Sequence, residues 1–193
     1  MARIVYIRDD KEKKLLNLVV EEAQVHTRYS ISYALYIRLG RPVRNEELSS
    51  SAMTDIKYCD ECYRAKKKAL SYLALADNNE RELVLKLVHA GYRRDIAEQT
   101  VEEMVGLGYI DETRQLERLI AREARVKLSG PRKICARLGA KGYSQSNIKD
   151  VMRSLVDCGE IDFDSIKEEL CARKLADPDD TEEKKKLLYK YGF

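Results

Sequence analysis

The sequence has no tryptophan, two phenylalanines, three prolines and nine glycines in 193 residues. So few breakers favour helices. The aromatic part of any core has to come from twelve tyrosines, whose hydroxyls need water or a partner. No run approaches the roughly 18 apolar residues that a bilayer span requires. The opening stretch, MARIVYIRDDKEKK, lacks the apolar segment and cleavage-like site of a secretory leader, so none is expected. Five cysteines, an odd number without an export signal, are expected as reduced thiols in the cytoplasm. His26 and His89 are the only histidines and lie far apart in sequence; capping at a helix end is explanation enough for His89. Cys59 and Cys62 form the only CxxC. Zinc needs four ligands, and no second pair stands at suitable spacing. A redox pair would sit beside a βαβ pattern, which is absent. Cys59 falls on an apolar face, which fits a small buried hydrophobe. No nucleophile–base pair, phosphate-binding glycine loop or carboxylate cluster is present. The expectation is a chain that is not an enzyme and takes neither cofactor nor metal.

What the sequence does have is charge. Charged residues make up 36%, against about 25% in an average domain, while 36 basic and 33 acidic residues leave a net charge of only +3. The excess implies much solvated surface, as thin helical modules have. The first section, residues 1–53, reads as β-containing. Arg3–Arg8 and Leu15–Val20 are short apolar or β-branched runs separated by DDKEKK, a hairpin with a long loop. Ala23–His26 is a third short strand. Ser32–Leu39 is a short helix closed by Gly40 and Pro42, and NEELSS from Asn45 is another short helical piece. From Thr54, a plausible N-cap, Ile56, Cys59, Tyr63, Leu70 and Leu73 recur near one helical face.

The rest repeats itself. Arg81–Asp111 aligns with Arg132–Asp162 at a constant shift of 51, without a gap across 31 positions. Leu83 falls on Ile134, Leu87 on Leu138, Gly91-Tyr92 on Gly142-Tyr143, and Ile110-Asp111 on Ile161-Asp162. The glycines suit helix C-termini, and Asn79 with Glu82, Ser129 before Gly130-Pro131, and Ser144 have N-cap chemistry. Each copy reads as three helices, at 54–76, 80–90 and 94–107, then at 112–128, 131–141 and 145–158. The sections are therefore 54–111, 112–162, and an incomplete third copy at 163–193. In the third, a first helix carries Ile166, Leu170 and Cys171, a break follows at Ala176–Asp180, and Tyr191-Gly192-Phe193 closes the second helix. The expected fold is mainly α, with tandem three-helix repeats in an elongated array and a small N-terminal β-containing section. One such unit buries its apolar faces poorly alone.

Charge is uneven along the repeats. Residues 114–153 hold 11 basic residues against three acids, Glu117, Glu123 and Asp150. Arg114, Arg118, Arg122 and Arg125 fall within roughly an 80° arc of one helix. Arg132, Lys133, Arg137 and Lys141 form a second stripe, and Lys149 and Arg153 a third. Glu123 sits with Leu116, Leu119 and Ile120 on the apolar side, which the pattern does not explain. Such stripes can bind phosphates with strong salt sensitivity, or pair with carboxylates of a protein. Charge runs are more often plain solvated faces. Four arginines on one stripe with few acids nearby favour a binding surface. Lys66–Lys68 and Lys184–Lys186 spread around their helices and read as solvated surface.

The ordered series Ala69-Leu70-Ser71-Tyr72-Leu73-Ala74, Glu82-Leu83-Val84-Leu85-Lys86-Leu87, Gly91-Tyr92, Leu107-Gly108-Tyr109-Ile110-Asp111 and Gly130-Pro131-Arg132-Lys133-Ile134 resembles the RecX family of bacterial RecA modulators. The resemblance covers residues 65–193 well and 1–64 loosely. Three features depart from the family pattern, the incomplete third copy among them. Leu75-Ala76-Asp77-Asn78 stands where a basic run is common, and Gln115 stands where phenylalanine is common. The resemblance implies a non-enzymatic regulator with tandem three-helix repeats. Such proteins bind RecA and its filament on single-stranded DNA, and restrain ATP hydrolysis, strand exchange and coprotease action in homologous recombination and the SOS response. Weak direct DNA binding is compatible with that, and no membrane is implied. From the residues alone, a helix-turn-helix-like transcription regulator and a protein-only helical adaptor remain open.

Overall fold

The computed structural model describes residues 2–175 and 180–193. The chain opens with three strands, β1 (Ala2–Asp10), β2 (Leu15–Glu22) and β3 (Val25–Ser32). Helix α1 (Tyr33–Arg38) and a two-residue strand β4 (Glu47–Leu48) follow. The strands form one antiparallel sheet in the order β3-β2-β1-β4. Register places Leu16 opposite Ile31 and Leu18 opposite Tyr29. Alternation turns these residues to one face, where they are buried with Val20, with Leu35 of α1, and with Met53 and Ile56 of α2 (Ser50–Leu75).

Three details differ from the sequence expectation. The third strand is later and longer than Ala23–His26, because Ala23 and Gln24 make the turn, both in left-handed conformation. NEELSS is not helical before Ser50, which opens α2. Asn45 donates to the Ile4 carbonyl at 2.8 Å and Ile4 to the Glu46 carbonyl at 3.0 Å, so pairing with β1 overrides local propensity. Helix α2 starts four residues before Thr54. Ser49 Oγ caps it by accepting the Ala52 N–H at 3.1 Å, and Thr54 Oγ1 instead bonds the Ser50 carbonyl at 3.0 Å. The buried stripe of α2 runs Met53, Ile56, Asp60, Ala65 and Ala69, while Leu70 is exposed.

Asp60 explains its own burial. It accepts the Ser30 N–H at 2.8 Å and pairs with Arg64 at 3.0 Å. Ser30 lies on β3, the edge strand, so α2 supplies the acceptor that a further strand would otherwise give. Asp60→Ala leaves that N–H unpaired and should cost about 1–3 kcal/mol, read as a lower urea midpoint. An unchanged midpoint would show that water serves equally well.

The helices that follow are α3 (Glu80–His89), α4 (Arg94–Gly106), α5 (Glu112–Ala121), α6 (Pro131–Ala140), α7 (Gln145–Asp157), α8 (Phe163–Lys174) and α9 (Thr181–Tyr191). Helices α6 and α7 repeat α3 and α4, residue for residue at their ends, at the shift of 51 seen in the sequence, and α8 starts 51 residues after α5. Gly91 and Gly142, with φ of +92° and +102°, end the paired helices in a conformation glycine adopts without penalty. The helix expected at 112–128 is interrupted. It is α-helical to Ala121, then forms a π-helical turn, Arg122–Val126. The expected break at 176–180 lies outside the described residues apart from Asp180, which caps α9.

The chain divides into two compact units, one of residues up to Leu75 with Lys86–Glu103, the other of Ala76–Leu85 with Met104–Phe193. The second unit is built on Leu116, Ile120, Ile134, Leu138, Ile148, Leu155, Ile161, Ile166 and Leu170, all buried. Among the described residues no helix is long and apolar enough to cross a membrane.

Candidate protein and nucleic-acid interface

The basic residues of the second three-helix copy do not form one continuous stripe. Their helices place some on two concave surfaces, engage Arg125, Lys133 and Arg137 within the fold, and leave Arg114 exposed outside both surfaces.

The first surface is a cleft of about 300 Å³ whose lining includes Arg118, Arg122 and Lys141. A buried polar network shapes it. Asn79 caps α3 by accepting the Glu82 N–H at 2.8 Å, as its sequence position predicts, and donates to the Lys141 carbonyl at 2.9 Å. Gln115 donates to the Asn78 carbonyl at 3.2 Å and accepts from the Tyr143 hydroxyl at 2.9 Å. Gln115 thus holds a tyrosine hydroxyl where an aromatic ring could not, and burial pushes the Tyr143 phenol up. Arg118 pairs with Asp77 at 2.8 Å, with both side chains more than half exposed, so the pair adds little stability and is open to exchange. Among the described residues no carboxylate lies within ion-pair distance of Arg114, Arg122, Lys141 or Lys149.

The second surface is a groove of about 590 Å³ between α6, α7 and the start of α8, bordered by Arg132, Lys149 and Arg153. Arg153 is paired with Asp150 at 3.5 Å, both largely exposed. Arg132 lies over the Tyr189 ring at 5.1 Å and donates to the Phe193 carbonyl.

The remaining candidates are engaged. Arg125 does not continue the line of Arg118 and Arg122, because the π turn changes the helical phase; its guanidinium donates to the Glu160 carbonyl. Lys133 donates to the Lys190 carbonyl at 3.2 Å and lies 4.4 Å from the Tyr191 ring, holding α9. Arg137 is bound to Glu123, which also takes Lys127. This resolves the misfit of Glu123 on the apolar side. The carboxylate is nearly buried, at 11% exposed, and bridges the π turn to α6. Burial by itself would raise its pKa; the Lys127 and Arg137 hydrogen bonds outweigh that and hold the carboxyl below its ordinary value.

Asp77, Asn78, Asn79 and Tyr143 are site residues that the charge pattern does not reveal. Only the capping signal of Asn79 was readable. The CxxC is packed: Cys59 lies against the sheet core, and burial raises the Cys62 thiol. Among the described residues no group of three or more His, Cys, Asp or Glu side chains could hold a metal ion.

Regulatory protein RecX of Chlorobium limicola is 31% identical over 119 residues, covering 62% of this chain and 73% of that protein. The chain belongs to the RecX family. Regulatory protein RecX of Lactobacillus johnsonii is 26% identical over 157 residues, which are 81% of this chain and 56% of the relative. The chain spans about half the length of the first curated RecX relatives it matches. A crystal structure of regulatory protein RecX superposes with a TM-score of 0.73 at 20% identity, over 100% of this chain and 95% of that one. That of RecX from Lactobacillus salivarius gives 0.57 at 21% identity, over 69% of this chain and 89% of that one. Both RecX structures share the mainly helical fold. No family model matches the chain.

Proposed function

We propose that the protein is a cytoplasmic, non-enzymatic regulator that binds RecA and its filament on single-stranded DNA. It restrains RecA ATP hydrolysis, strand exchange and coprotease action, mostly as an inhibitor. Membership of a family of regulatory proteins supports the class. The observation that carries the mechanism is the exposed set Arg114, Arg118, Arg122 and Lys141, whose one ion-paired acid among the described residues, Asp77, is itself exposed. Weakly paired cations on a rigid helical frame can trade Asp77 or solvent for phosphates or carboxylates at little cost. In this reading the section 112–162 makes the main contacts.

Added protein should lower single-stranded-DNA-dependent ATP hydrolysis by RecA at equimolar ratio or below. No effect at any ratio would reject the proposal. A preference for one duplex sequence of about 10³ over random DNA would instead mark a transcription regulator. Arg118→Glu with Arg122→Glu should weaken filament association by on the order of tenfold or more, in a salt-dependent way. Lys66 is held by Glu103 at 2.6 Å, so the control is Lys67→Glu with Lys68→Glu, both exposed, which should change it by less than about threefold, as solvated surface charge does. Equal losses would reject the assigned surface.

A further inference from the structure

The α6–α8 groove differs in kind from the cleft. Lys149, Met152, Arg153 and Val156 recur at 0, 3, 4 and 7 along α7, one face of a helix. Met152, Val156 and Phe163 make its floor, and Arg132, Lys149 and Arg153 stand around it. Val156 is 42% exposed, an apolar side chain left in water. Among the described residues no acidic side chain lines the groove.

The repeat supplies an internal comparison. Shifted by 51, the same four positions on α4 are Glu98, Val101, Glu102 and Val105. The apolar character is kept and both charges are reversed. Arg132 keeps its charge in Arg81, but the two cations of α7 are not required by the fold; they distinguish the second copy. Two features are fixed before any partner arrives. Arg132 is held over Tyr189, and Phe163 is met edgewise by Phe193 at 6.3 Å and 73°.

We infer that this groove is a docking site for an acidic amphipathic helix of a partner protein, with one or two large apolar side chains seated between Lys149, Arg153 and Arg132 and flanking carboxylates paired to those cations. Apolar burial would supply affinity and the cations orientation, the division usual at protein interfaces. Nucleic acid suits the floor poorly. Base edges need hydrogen-bond partners, and bases stack on open aromatic faces. Here the floor offers a thioether, a valine and one ring already in aromatic contact. The inference goes beyond the RecA reading and does not need it.

The test uses the full chain, without RecA, and a fluorescein-labelled helical peptide with leucine and phenylalanine at i and i+4 among glutamates. Three probes serve as controls: the same peptide with lysine for glutamate, one with alanine for leucine and phenylalanine, and labelled oligothymidylate. The acidic apolar peptide should bind with a Kd of about 10–100 µM. Val156→Asp, and separately Lys149→Glu with Arg153→Glu, should each weaken it by about tenfold or more with the helical circular dichroism spectrum unchanged. The double reversal should gain affinity for the lysine peptide, which a merely damaged fold would not do. Equal binding to all variants would overturn the inference. So would equal binding of the alanine peptide, displacement by oligothymidylate that Val156→Asp abolishes, or concentration-dependent self-association lost in Val156→Asp. Absence of any effect on RecA ATP hydrolysis by a chain that binds the peptide would overturn the proposed function alone.

Discussion

Gly192→Ala is expected to strip α9 from the second unit while leaving α5 to α8 folded. Gly192 has φ +91°, and a Cβ placed there would lie 2.5 Å from both the backbone nitrogen and the Cβ of Lys133. The left-handed conformation costs a non-glycine residue about 1–2 kcal/mol. The overlap adds to this, because one of the atoms it meets belongs to the main chain of α6. The seat that would be lost is specific. Gly130 N–H donates to the Tyr191 carbonyl at 2.7 Å, Arg132 N–H to the Gly192 carbonyl at 3.2 Å, and Phe193 N–H to the Leu188 carbonyl at 3.0 Å. Leu187, Leu188, Tyr191 and Phe193 pack on the core through it. We expect a total cost of about 2–4 kcal/mol, seen as hydrogen-exchange protection lost from α9 amides first. Gly130→Ala should do the same from the opposite side, since its Cβ would meet the Gly192 carbonyl at 2.5 Å. Gly159→Ala is the control for backbone strain alone, with φ +76° and nothing within 4 Å. If all three variants behave alike, the seat does not hold the helix.

Lys127→Ala with Arg137→Ala should reverse the sign of the pH dependence contributed by Glu123. In the native chain its carboxyl is held below the ordinary value. A group of this kind adds stability that is full above its unfolded pKa, near 4.5, and is lost as pH falls through the lower folded value. Without the two cations, burial acts unopposed and raises the folded value above the unfolded one. The folded state then binds the extra proton, and stability declines as pH rises through the window from about 4.5 upward. The double variant should lose about 2–4 kcal/mol at pH 7, a figure set low because both cations keep more than 40% of their surface in water. It should recover part of that near pH 5. Urea melts at pH 7 and pH 5 decide the matter: a native-like pH profile in the double variant would mean that Glu123 does not depend on the bridge. Glu123→Gln should flatten the same profile, since it removes the titrating group.

Much of the fold was legible because it is periodic. The 51-residue shift that relates letters in the chain also relates the bounds of α3 and α4 to those of α6 and α7, and Asn79 and Gly142 act where capping and left-handed turns put them. What was hidden depends on pairs distant in sequence. Within NEELSS, Glu47–Leu48 is a strand because β1 presents its backbone to it. Gln115 is buried only because Asn78 and Tyr143 meet it. The charge stripes were real as counts but not as one surface. The phase change at Arg122–Val126 leaves no mark in the sequence except Glu123, an acid among leucines. That misfit was the available clue. The groove at Arg132, Lys149 and Arg153 joins two helices whose facing sides no single-helix pattern can match.

The carboxylate that α2 sets against β3 has a consequence for solution behaviour. An open sheet border is a template on which another chain can add a strand, and added strands propagate into fibres. With Asp60 occupying the Ser30 donor, a neighbouring polypeptide that tries to zip onto this border must first displace a charged acceptor and the helix carrying it. A chain lacking that carboxylate should therefore deposit as insoluble material more readily than its modest loss of folding free energy alone would explain.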